Sequence, residues 1–472
     1  MASPVPSLLF CLLLLVSPHL GCSYYTSYTQ GGKHIVVRSK KNPQQPTPAC
    51  SIHSGSNSDG LPVVHRLSPC STLGAARDKE MPSAADVLRR DALRLRSLFR
   101  KDSGASAVSS GARITIPNRG DPVGALPGAS EYHVVAGFGT PAQKFTVGFD
   151  TATVGATQLL CKPCATFPEP CDNSFDPSAS SSLAHVPCGS PDCPFHGCSG
   201  PSCTLSVSVN TKFLGNVTFV TDTLTLSPLF GTVENFRFAC MEAGLGTRDS
   251  TSGILDLSRN SHSLASRAPS SPDTVAFSYC LPSPAKNAGF LSIGAARPER
   301  SGRNVSYTPL RGNADNGNLY LVKLVGLSLG GHDIAIPPAA MAGDSMLDLH
   351  TTFTYLRPEA YAALRGEFRE AMSQYRAAPP LGELDTCYDF KGEAIVFVPV
   401  ITLRFDGGAS VELSFEQTVY FPNRDNHLSV GCLAFVAANR AEVAVIGSMA
   451  QTSTEVVYDV HGGKVGFVPS RC

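Results

Sequence analysis

The sequence predicts a mainly β protein built as two lobes. The first observation is a series of short β-rich runs separated by Gly, Pro and Ser clusters, from about Ala129 to the C-terminus. YHVVAGFG, FTVGFD, VTFVTDTLTL, FRFAC and TVAFSYC lie in the first half. FLSIGA, YLVKLVGLSLGG, IVFVPVITLRFDGG, VAVIG, TEVVYDV and KVGFV continue the pattern. The second observation is that only YAALRGEFREAMSQY, residues 361–375, reads as a long amphipathic helix in this region. The third is a pair of apolar strands, each ending in an aspartate, Asp150 and Asp348, about one lobe's length apart. The chain of 472 residues is long enough for two packed cores and processed segments besides.

The apolar core LLFCLLLLV near the N-terminus is too short to span a bilayer. With small residues at Gly21 and Ser23 it reads as a secretory signal peptide over residues 1–23. No later stretch is apolar enough for a membrane helix, so the expected product is a soluble, exported monomer. Residues 24–128 are rich in Ser, Pro, Lys and Gln and read as a propeptide-like segment. Within it PSAADVLRRDALRLRSLFRK, residues 82–101, predicts a basic helix. Ser83 and Asp86 have capping-box spacing, and Leu88, Ala92, Leu95 and Phe99 share one face. Arg89, Arg90, Arg94, Arg96, Arg100 and Lys101 surround that face. Such a helix suits a cover over an acidic cleft, a membrane or partner-binding element, or a solvated linker. Residues 129–284 and 285–472 are the expected N-terminal and C-terminal β lobes.

Lys plus Arg and Asp plus Glu both number 38, so no long-range field favours nucleic acid or an anionic membrane. Of the 16 cysteines, Cys11 and Cys22 belong to the leader region and Cys50 and Cys70 to the segment after it. The remainder is even in number, and seven of them crowd between Cys161 and Cys203. Cys188, Cys193, His196 and Cys198 have spacing that zinc accepts, but an exported chain favours disulfides, and no metal or other cofactor is expected. Asn216-Val-Thr and Asn304-Val-Ser are glycosylation acceptors suited to surface loops.

Asp150-Thr151-Ala152-Thr153 and Asp348-Leu349-His350-Thr351 resemble the two Asp-Thr/Ser-Gly loops of pepsin-like aspartic proteases. FDPSASSSLAHVPC, FSYCLPS, LDTCYDF and EVVYDVHGGKVGFVPSRC are similar to segments of the plant nepenthesin-like branch. So is the cysteine-rich stretch, and VVHRLSPCSTL resembles pro-segments of one subgroup. The resemblance covers about Leu61 to Cys472. It implies a bilobal pepsin-like acid protease fold with a cysteine-rich insert in the N-terminal lobe. It also implies a polypeptide substrate or protein partner in the inter-lobe cleft, and a destination outside the cell, in the apoplast or in the vacuole. By the same resemblance the disulfides are Cys161–Cys164, Cys171–Cys240, Cys188–Cys203, Cys193–Cys198, Cys280–Cys472 and Cys387–Cys432; spacing alone leaves the pairing open.

In this family two aspartates share one proton; one activates water and the other polarises the scissile carbonyl. Asp150 and Asp348 are the candidate dyad. The first loop keeps the hydroxyls of Thr151 and Thr153 and replaces Gly by Ala152. The second has Leu349 for the hydroxyl residue and His350 for Gly, keeping only Thr351. The bulky ring predicts a distorted loop, strained wherever φ is positive, and His350 is placed to pair with Asp348. The supporting strand in the first lobe reads Ile254-Leu255-Asp256 where the second has Val445-Ile446-Gly447. The flap tyrosine position falls in Val209-Asn210-Thr211-Lys212, and the family's tryptophan falls near Gln158 in a chain without any Trp. A serine triad on His350 has no nucleophile elbow to support it. Two functions remain: an aspartic endopeptidase of impaired activity, or an inactive homologue that binds or inhibits proteins, as plant glycosidase inhibitors with this fold do.

Overall fold

The computed structural model describes residues 25–28, 33–37, 50, 60–73, 82–99, 108–110, 113–116, 130–153, 156–163, 173–193, 198, 200–209, 212–227, 231–242, 251–268, 271–283, 288–312, 319–391, 393, 395–422, 430–438, 443–469 and 472. The expected leader and its cleavage region lie outside these residues, as do Cys164, Cys171 and His196. The fold is the expected mainly β, bilobal one. Each lobe holds its aspartate in a sheet of the same pattern.

In the first lobe the strands are β2 (Tyr132–Phe138), β3 (Gln143–Asp150), β4 (Thr157–Cys161), β5 (Thr204–Val209), β6 (Lys212–Ser227), β7 (Gly231–Glu242) and β8 (Gly253–Asp256). They follow β1 (Leu61–His65) and helix α1 (Ala84–Leu98) of the N-terminal segment. Around Asp150 the order is β2-β3-β8-β4-β7, with pairings antiparallel, parallel, antiparallel and parallel. Next come β9 (Phe277–Cys280), β10 (Gly289–Ile293), β11 (Leu321–Val322), β12 (Ser345–Leu347), β13 (Thr354–Leu356), α2 (Pro358–Ala371), β14 (Phe435–Ala437) and β15 (Ala444–Ile446). Around Asp348 the order is β11-β12-β15-β13-β14, with the same alternation of directions. In one lobe Asp150 lies opposite Asp256, and in the other Leu347 lies opposite Ile446, one step before Asp348 and Gly447. The two aspartate loops are therefore equivalent positions of a repeated unit.

The sheet that holds Asp150 extends beyond β2 and joins the lobes. It contains β17 (Lys464–Val468), β16 (Glu455–Asp459), β9 and β10, and then β1, which lies between β10 and β2. Val63 pairs with Gly289 on one side, and Val64 with His133 on the other. The N-terminal segment thus supplies an internal strand rather than a loose tail. Leu61 and Val63 are buried in the main core, Val64 and His65 are buried as well, and Pro62 is the one exposed residue of this covered strand.

Six disulfides join described cysteines, and the insert is paired differently from the expectation. Cys161 is bonded to Cys240 rather than to Cys164. Their strands β4 and β7 run side by side in parallel and bring the Cα atoms to 5.5 Å. Cys188 joins Cys198, and Cys193 joins Cys203, replacing Cys188–Cys203 and Cys193–Cys198. The sulfurs crowd together, with Cys193 Sγ 3.7 Å from Cys198 Sγ, so spacing could not select the partner. Cys280–Cys472 and Cys387–Cys432 are formed, and Cys50–Cys70 closes within the N-terminal segment. Asn304 is exposed outside regular structure; Asn216 instead lies in strand β6, its side chain bonded to Ser206 and Glu242.

Candidate active site

Helix α1 lies in the cleft, and its contacts explain its sequence. Ser83 caps it, accepting from the Asp86 amide at 3.2 Å and donating to the Asp86 carboxylate at 2.7 Å. Val87 and Leu88 pack with Ala152, Leu321, Met346 and Phe353 from both lobes. The same face carries two charges one turn apart, Asp91 and Arg94, both buried. Arg94 passes between the aspartates: its Nη2 donates to Asp150 Oδ1 at 2.9 Å and to Asp348 Oδ1 at 2.6 Å. Its Nε donates to Asp348 Oδ1 and Oδ2 at 3.2 and 3.1 Å. The guanidinium is 6% exposed and the two carboxylates 1% and 0%. Asp150 and Asp348 thus face one another across the cleft with a cation held between them.

Asp91 reaches past Arg94 into the second lobe. It accepts from the amides of Thr352 and Phe353 at 2.8 and 3.0 Å and from the Tyr355 hydroxyl at 3.4 Å. Burial dominates its titration and pushes the carboxyl up to about 7, against those donors and the charge of Arg90. On the outer side of the helix Arg90 Nη1 meets Glu131 at 2.5 Å, and His65 of β1 lies 3.4 Å from the same carboxylate. Burial alone would raise Glu131, but the His65 hydrogen bond and the Arg90 charge outweigh it and hold the group well below the carboxylate range. Neither Asp91 nor Arg94 stands out in the hydrophobic periodicity, which assigned Arg94 to the surrounding basic shell. The legible signal was the i, i+3 pair of opposite charges adjoining the apolar stripe.

The second aspartate loop is less disturbed than its sequence suggested. Thr351 donates to Asp348 Oδ2 from both its amide, at 2.8 Å, and its hydroxyl, at 2.6 Å. Leu349 is 3% exposed and joins the main core, removing a hydroxyl without opening a void. The expected strain at His350 is absent: Asn235 and Ser453 are the described non-glycine residues at positive φ. His350 crosses to the other loop rather than pairing with Asp348, its Nε2 at 3.3 Å from the Phe149 carbonyl and 3.8 Å from Asp150 Oδ2. Burial disfavours the Asp348 charge, but Arg94 overcomes that penalty, with His350 and Thr351 assisting, and the carboxyl is held below its ordinary value.

In the first loop Ala152 donates from its amide to Asp150 Oδ1 at 2.9 Å. Thr151 is buried with its hydroxyl against the Tyr458 phenol. Thr153 donates instead to Asp256, the residue standing where the second lobe has Gly447. Asp256 is fully buried, accepts from the Ser258 amide at 2.8 Å, and leaves its Oδ2 unpaired. Burial raises its pKa, and the neighbouring Asp150 charge adds to the shift. In the second lobe a Cβ on Gly447 would lie 2.2 Å from the Phe353 carbonyl oxygen and 2.5 Å from that of Thr352. Gly447→Ala is therefore expected to cost about 1–3 kcal/mol or more by forcing the Asp348 loop aside. Thermal denaturation checks this; an unchanged midpoint would mean that the backbone gives way freely.

Val209 and Lys212 pair at the end of β5 and the start of β6, and residues 210–211 lie outside the described residues. Gln158 is buried on β4. The insert sulfurs of Cys193, Cys198 and Cys203 lie close enough for a metal but are consumed in disulfides.

Comparisons with known proteins agree with this geometry. Residues 132–295 match the family described as Xylanase inhibitor N-terminal, and residues 319–469 match Xylanase inhibitor C-terminal. An aspartyl protease family protein of Arabidopsis thaliana is 31% identical over 98% of each chain. The aspartyl protease AED1 of the same plant is 34% identical, covering 89% of this chain and 88% of its own. Nepenthesin-2 of Nepenthes gracilis, an aspartic proteinase, is 28% identical over 73% of this chain and 78% of its own. Among solved structures, conglutin gamma from lupine seeds aligns with a TM-score of 0.55 at 18% identity, covering 74% of this chain and 94% of that one. Basic 7S globulin from soybean aligns with a TM-score of 0.53 at 19% identity, covering 71% of this chain and 91% of its own.

Proposed function

The chain belongs to the pepsin-like plant aspartic protease family, and we propose that it is an exported endopeptidase precursor of low intrinsic activity, masked by its own helix. The observation that carries this reading is the placement of Arg94 between Asp150 and Asp348. While Arg94 is there, both carboxylates face a cation, and no water or scissile carbonyl can take its place.

With the helix withdrawn, the pair shares a proton. Asp348, with two hydrogen bonds from Thr351, is the ionised base; Asp150, whose Oδ2 lacks a hydrogen-bond partner, carries the proton. Asp348 takes a proton from water as the oxygen attacks the carbonyl carbon, and Asp150 gives its proton to the carbonyl oxygen. Collapse of the diol returns a proton to the leaving amine. Three features slow this cycle. Leu349 brings no hydroxyl to the loop, His350 lies 3.8 Å from the proton-bearing oxygen, and Asp256 adds a third buried carboxylate. Loss of one positioned group of this kind costs ~10²–10³ in rate.

Hydrolysis of a denatured protein at acid pH by the purified chain tests the reading, with Arg94→Ala to open the cleft and Asp150→Ala as control. Slow turnover that the opening variant raises and the control abolishes is expected, together with weak pepstatin binding. Turnover rivalling an ordinary aspartic protease, or turnover surviving Asp150→Ala, would refute it. The second reading is a cleft that binds a protein partner without cleaving it, favoured by Leu349 and by Asp256 in place of glycine. It predicts no turnover in any of these variants.

A further inference from the structure

The occupant of the carboxylate pair is an arginine, and its mode of attachment is more specific than charge neutralisation requires. Resting on the reading above that this cleft is the working site, we propose that Asp150 and Asp348 form a guanidinium-binding site. A polypeptide that replaces the 84–98 helix enters with an arginine side chain between them.

The contacts come from two different nitrogens. Nε addresses both oxygens of Asp348, and Nη2 bridges from Asp348 to Asp150. A planar fork of fixed donors makes this pattern, whereas an ammonium is a point charge with no second nitrogen to place. The acceptors are prearranged for it. Thr351 holds Asp348 Oδ2, and Ala152 holds Asp150 Oδ1, so each carboxylate is oriented by its own loop and not only by the ligand. Asp150 Oδ2 is buried with no hydrogen-bond partner. Beyond it, Asp256 adds acid where the sister position in the other lobe is glycine. An emptied site thus keeps a slot shaped by a guanidinium, whose prearranged acceptors a bound guanidinium would occupy in place of the proton that the pair otherwise shares.

The test uses the full chain carrying Arg94→Ala, titrated with ethylguanidinium and, separately, with ethylammonium. The proposal expects the thermal midpoint to rise by several degrees with ethylguanidinium, following the logarithm of its concentration as mass action requires. Ethylammonium should bind at least ~10-fold more weakly. Adding Asp348→Asn should abolish the response, and the unsubstituted chain should show none. Equal rescue by both cations would reduce the site to a generic charge sink and overturn the proposal; so would no rescue by either. Arg94→Lys gives an independent arm if the alanine variant does not fold: the helix should lose most of its amide protection although the charge is kept, and wild-type protection would overturn the proposal. None of these readouts needs turnover. A chain without hydrolytic activity can still pass, and an active one can still fail.

Discussion

Arg94→Met is expected to loosen the 84–98 helix by about 3–5 kcal/mol, the scale seen when one partner of a buried ionic group is removed. Both carboxylates are 1% exposed or less and cannot recover water in place. They respond by taking up a proton between them, which moves the pair from two charges to one. The remaining anchors are Asp91 on the second lobe, Arg90 on Glu131, and the apolar contacts of Val87 and Leu88. Hydrogen exchange of the helix amides should therefore accelerate by orders of magnitude, with the strands of the two lobes unaffected. Uniform acceleration across the lobes would show instead that the helix is a folding requirement of the whole molecule.

The second large effect is a dependence on pH. Docking of the helix should be tightest in mildly acid solution and weaken towards neutrality. Asp91 sits at about 7 when docked, against 3.8 for an ordinary aspartate. Its contribution is fully present below the ordinary value and is lost as pH rises through the docked value, by at most ~1.4 kcal/mol per pH unit. Asp348 and Glu131 work in the opposite sense. Both are held below their ordinary values, 3.8 and 4.5, so their contributions persist above those values and are lost only as pH falls through the depressed ones. Exchange protection of the helix, corrected for intrinsic rates, should fall between about pH 4 and 7. Asp91→Asn should remove most of that slope. Protection that climbs over this interval in the unsubstituted chain would contradict the burial of an ionisable Asp91.

Much of this architecture was legible in the residues. Alternating β runs and turn clusters located β2, β3, β7, β11 and β15 beside the site but not β4, β13, β14 or the N-terminal β1, and the two aspartates were found as equivalent strand ends because each apolar run stops at a carboxylate. The helix and its cap were also legible. What was hidden depends on partners far away in the chain. Arg94 and Asp91 were invisible to a hydrophobic count because their burial is compensated by groups some 250 residues distant. His350 could be seen to need space, but only the lobe-to-lobe approach shows its ring reaching the Phe149 carbonyl. The insert pairing escaped because four cysteines within one small stapled loop offer several short-range bonds that differ little in loop length.

The bond between Cys50 and Cys70 closes entirely within the N-terminal segment, and the other disulfides among the described residues join positions from Cys161 onward. A single backbone cut between α1 and β2 would therefore turn one polypeptide into a two-chain assembly with no described covalent tether. The smaller chain would keep β1 in the joining sheet and Arg94 in the cleft, but its grip would become an affinity rather than a connection. Occupancy would then follow dilution: crowded product stays closed, and dispersed product opens. Before the cut, local concentration is set by the chain itself and dilution has no effect. Scission so placed would give a molecule whose opening depends on how far it has spread from the place where it was cut.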